Sequence, residues 1–99
     1  MKSNANQIFY KVNQAVEGLE KMTEKEALLE PSKAFGENYN SLLNLARETV
    51  PAADSRRWPP MLGYRDTAFE GQSFTVSRYV EIVCYLKQIS AILSEGIEH

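Results

Sequence analysis

The side chains best suited to chemistry lie in one stretch of the chain: Ser55-Arg56-Arg57-Trp58-Pro59-Pro60, followed by Tyr64-Arg65-Asp66. A guanidinium offers a planar fork of donors and an indole offers a large contact area with few torsions, so these residue types anchor interfaces. Prolines beside them limit the conformations lost on binding. The stretch therefore predicts a partner-binding surface made of Arg56, Arg57, Trp58, Tyr64 and Arg65. The same residues have a purely structural use: Trp58 and Tyr64 laying the loop over a core, with Arg56 or Arg57 paired to Asp54, Asp66 or Glu70. A third use is nucleic acid, with the aromatics stacking on unpaired bases while the arginines meet phosphates. Binders of useful affinity make about six to ten phosphate contacts, and three arginines beside two aspartates fall short of that. Nucleic acid is the alternative reading, and a disfavoured one.

Catalytic signatures are missing elsewhere. Asp54 and Asp66 are suited to acid–base work, but no nucleophile, phosphate cradle or oxyanion donor accompanies them. Glu17, Glu20, Glu24, Glu26 and Glu30 resemble a metal face until Lys21 and Lys25 are noticed between them. A di-metal carboxylate bundle needs inward acids and a Glu-x-x-His pattern, which this chain lacks. A solvated helix face explains the run, with Glu17 and Lys21 paired at i, i+4. His99 is the only histidine and the last residue, a poor place for a general base or metal ligand. Cys84, the only cysteine, is expected to pack at the margin of an apolar helix face, since no cation adjoins it to lower its pKa. No catalytic residue, metal or cofactor is expected, and the chain reads as a non-enzyme.

With 99 residues, 43% hydrophobic and 24% charged, the chain matches a single folded domain (1–99) with one core. Its net charge of −2 and pI near 5.4 provide no general attraction to a polyanion. One cysteine excludes an internal disulfide and favours a reducing, cytoplasmic setting. No apolar run approaches the ~20 residues that cross a bilayer, and the first residues lead into an amphipathic pattern rather than a signal core. A full-length cytoplasmic protein without membrane contact is the expectation.

The elements that must position the Arg/Trp stretch are helical. Ala5, Ile8, Val12, Ala15, Leu19 and Met22, and later Tyr79, Ile82, Leu86, Ile89 and Leu93, recur in steps of three and four, which return to one face of a helix turning every ~3.6 residues. Helices are predicted near 4–22, 32–49 and 75–95. Ser3 or Asn4, Ser32, and Ser73 or Thr75 are the expected N-caps. Phe35, Tyr39, Leu42, Leu43, Ala46 and Val50 form the inward set of the second, which Pro51 ends. Val76, Val80 and Val83 widen the apolar arc of the last, making it the central helix, with Gly96 as its C-cap. Thr23 and Glu26 have capping-box spacing, so the first helix either restarts there or runs on toward Glu30. Gly18 either admits a close neighbour or loosens its helix, and Gly36, early in its helix, looks inexpensive. Periodicity vanishes over 51–72, which holds three of the four prolines, the only tryptophan and three of the five arginines. A connection of that length is most often functional or mobile.

The predicted fold is all-α: three helices, or four with a short extra piece around 24–30, joined by one long proline-containing loop. The first two are expected to run antiparallel, with the last lying back between them. Ile8, Val12, Leu19, Tyr39, Leu42, Ala46, Tyr79, Val83, Leu86, Ile89 and Leu93 are the expected core. The predicted function is a protein–protein interaction module, an adaptor, inhibitor or regulatory subunit that binds through residues 56–65 or a helix groove. A second copy of the chain is a further candidate partner, since two heptads suffice for a bundle contact. On this reading, replacing Arg57 and Trp58 by Ala abolishes partner capture and leaves melting unchanged.

Overall fold

A computed structural model describes residues 5–51, 53–66 and 73–96. In chain order it contains α1 (Ala5–Glu20), α2 (Glu24–Ala27), α3 (Lys33–Thr49), a 3-10 turn (Ser55–Arg57), β1 (Tyr64–Asp66), β2 (Ser73–Thr75) and α4 (Tyr79–Gly96). The protein is mostly helical, with a small antiparallel hairpin. It is elongated, 47 × 26 × 25 Å. Among the described residues no helix is long and apolar enough to cross a membrane.

The helices sit where the apolar spacing put them. Ile8, Val12, Val16 and Leu19 are the buried residues of α1. That helix ends at Glu20 and the chain restarts at Thr23 through a reciprocal cap. The Thr23 hydroxyl accepts the Glu26 N–H at 3.2 Å, and the Glu26 carboxylate accepts the Thr23 N–H at 3.0 Å. That second bond holds the Glu26 carboxyl below its ordinary range. Ser32 caps α3 by accepting the Phe35 N–H at 3.4 Å, and Pro51 follows its end. The expected caps Ser3 and Asn4 lie outside the described residues, as do Glu70 and His99.

Cross-helix pairs fix the directions. Lys87 reaches Glu20 at 2.8 Å and Ser90 donates to Asn13 at 3.0 Å, so rising numbers on one helix meet falling numbers on the other: α1 and α4 are antiparallel. Phe35 meets Tyr79 edge-on at 5.3 Å and Tyr39 meets Tyr85 at 6.4 Å, so α3 and α4 run parallel. It follows that α1 and α3 oppose one another. The largest helix interface is α1 on α4.

One continuous core joins them. Ile8, Val12, Leu43, Ile82, Ile89 and Leu93 are fully buried, each worth about 1.5–3 kcal/mol of transfer free energy. Tyr39, Ala46 and Leu86 are buried as expected, whereas Leu42, Tyr79 and Val83 are only partly covered. Trp58 and Leu62, from the long connection, complete the core.

Several expectations are corrected. Residues 75–78 are not helical: Thr75 belongs to β2, and α4 begins at Tyr79. The Thr75 hydroxyl donates to the Ser77 carbonyl at 2.7 Å instead of accepting a helix N–H, and the first turn of α4 closes on Arg78, whose carbonyl accepts the Ile82 N–H at 3.1 Å. β1 pairs antiparallel with β2, Tyr64 opposite Thr75 and Asp66 opposite Ser73, so the loop predicted over 51–72 carries strand structure and the fold is not purely α. Ser32 bridges to Phe74, placing β2 between β1 and the entry to α3. Val76 and Val80, assigned to the apolar arc, are 54% and 44% exposed. Cys84 is exposed rather than packed. It lies two residues past buried Ile82, roughly 200° around the helix and so on its far side.

Candidate functional site

The connection after α3 is a strap laid along α3 in the opposite direction, and α3 itself holds it down. The Tyr39 hydroxyl donates to the Pro60 carbonyl at 3.1 Å. One residue on, the buried Asn40 amide grips Leu62 twice: its Oδ1 accepts the Leu62 N–H at 2.7 Å and its Nδ2 donates to the Leu62 carbonyl at 3.1 Å. The same Nδ2 donates to the Tyr64 hydroxyl at 2.9 Å. Burial, with Tyr85 adding to it, pushes the Tyr39 phenol well above its ordinary value, so it stays a donor.

Nothing in the periodic pattern pointed to Asn40, because polar residues inside an apolar face carry no repeat. The signal that existed was its spacing: Gly36, Asn40 and Leu43 share one stripe of α3, and all three are buried. Gly36 is the second missed residue. A Cβ there would stand 2.6 Å from the Thr75 Cγ2 and 2.8 Å from the Tyr64 Cε1. The glycine is what lets the hairpin sit against the helix, so its early helical position does not make it inexpensive.

The five residues predicted to bind a partner divide sharply. Trp58 is 9% exposed and belongs to the core. Tyr64, 37% exposed, offers its hydroxyl to Asn40, and Lys33 stands 5.6 Å over its ring. Arg65 is paired with Glu30 beside the hairpin. Arg56 bonds Asp54 at 2.9 Å. Arg57 crosses to the last turn of α4, where its two terminal nitrogens meet both Glu95 oxygens at 2.7 and 2.8 Å. Of the acids first considered for the arginines, Asp54 is used. Asp66 instead accepts from the Ser73 hydroxyl at 2.6 Å.

Replacing Arg57 together with Trp58 therefore tests stability as much as binding. Emptying a buried indole site costs about 3–5 kcal/mol, and the expectation of unchanged melting does not survive the burial of Trp58.

Arg56 and Arg57 face an open space. With Gln88, Ala91 and Ile92 of α4 they line a shallow groove of about 310 Å³, at the small end of ligand-binding volumes. The 3-10 turn fixes its rim: Asp54 caps the turn by accepting the Arg56 N–H at 2.9 Å while also holding the Arg56 guanidinium. These bonds keep the Asp54 carboxyl below its ordinary range. Arg57 does the same to Glu95. Two cations and two carboxylates leave the rim without net charge. Gln88 and Ala91, exposed on α4, had no distinguishing sequence signal and are identified by tertiary placement alone. Among the described residues no group of His, Cys, Asp or Glu is arranged to hold a metal.

No protein-family model, no curated protein and no solved structure matches this chain.

Proposed function

We propose that the protein is a non-enzymatic interaction module whose docking surface is the groove between the 3-10 turn and the C-terminal half of α4. The observation that supports this is a division of labour within the strap. Trp58, Leu62 and Tyr64 tie it to the body, while Arg56 and Arg57 stand at the rim of a groove that the strap shares with α4. The rim is held by the Asp54 cap on one side and buried Trp58 on the other, so it has little freedom left to lose when a partner arrives, which favours binding. Ala91 and the edge of Ile92, itself only 3% exposed, give the groove a small apolar floor and the arginines give it a hydrogen-bonding rim, the layout of a small protein-docking site.

A nucleic-acid role draws less support, because Arg56, Arg57 and Arg65 are each matched by a carboxylate of the same chain. Six or more free cations would be wanted, and the strap has none unmatched.

The test is capture of a partner by the tagged full chain, compared with Ala91→Arg and Arg57→Gln variants. Ala91 is exposed on α4, so an arginine there fills the groove without entering the core. Both variants should melt like the parent by circular dichroism and lose the captured protein. Undiminished capture by both would refute the groove as the docking surface.

A further inference from the structure

We draw no further inference here: the strongest candidate, the exposed apolar surface of Leu28, Leu29, Val76 and Val80 around the backbone bond from the Tyr79 N–H to the Leu29 carbonyl, carries nothing because nothing in the structure shows what covers it.

Discussion

Gly36→Ala separates local preference from tertiary contact, because the two predict opposite signs. In an isolated helix the change should stabilise by about 1 kcal/mol, alanine having less backbone freedom to lose. In the folded protein the new methyl would lie 2.6 Å from the Thr75 Cγ2 and 2.8 Å from the Tyr64 Cε1. Thr75 cannot yield easily: it is fully buried, its N–H is bonded to the Pro31 carbonyl at 2.9 Å, and its hydroxyl donates to the Ser77 carbonyl at 2.7 Å. Overpacking of this kind costs roughly 1–3 kcal/mol. Tyr64 can swing outward, but only by giving up its 2.9 Å bond to Asn40, worth about 1 kcal/mol. Allowing for the helical gain, the net loss is about 1–3 kcal/mol, which corresponds to a melting temperature about 5–20 °C lower in a domain of this size. Thr75→Ser removes the clashing methyl while keeping the hydroxyl, and by itself should cost about 1 kcal/mol. Combined with Gly36→Ala it should recover at least about 1 kcal/mol relative to additivity. Thermal and urea unfolding of the four proteins provide the measurement. A Gly36→Ala protein as stable as the parent, or strict additivity with Thr75→Ser, would refute the close approach of the hairpin to α3.

Asn40→Ala should destabilise by about 2–4 kcal/mol, since it strands the buried N–H and C=O of Leu62 together; faster amide exchange at Leu62 than at Leu43 is the local signature. Gly18→Ala should do the reverse and stabilise by up to about 1 kcal/mol in a thermal melt, because a Cβ there meets nothing within 4 Å. The pH dependence follows from Glu95, whose carboxyl is held below the ordinary glutamate value of 4.5 by Arg57. A depressed native pKa gives stability that is complete above about pH 4.5 and is lost as pH falls through the native value. The parent should therefore lose stability faster than Glu95→Gln in acid unfolding between pH 4.5 and 3. Asp54 should contribute less to that slope, because its partner Arg56 is two residues away and the pair partly survives in the unfolded chain.

The helices were legible because burying one face of a rod leaves a period in the chain. Ile8, Val12, Leu86, Ile89 and Leu93 follow it, and Thr23 with Glu26 announced a cap that operates through atoms three residues apart. The composition also marked 51–72 as the unusual segment. How that segment is used was invisible locally. Trp58 reads equally well as an interface anchor or a core residue, and its 9% exposure depends on α3 and the strap meeting. The hairpin was missed for the same reason. Three-residue strands leave no countable alternation, and Thr75 becomes part of a ladder only because Pro31 presents a carbonyl to it.

Periodic burial is thus written in the chain itself, since each helix carries its own record of which side faces inward. The clamp at Asn40, the clearance at Gly36 and the fork shared by Arg57 and Glu95 join residues 22 to 38 positions apart, with the hairpin returning to Gly36 from similar distances along the chain. Those depend on how the rods are brought together, which no local pattern records.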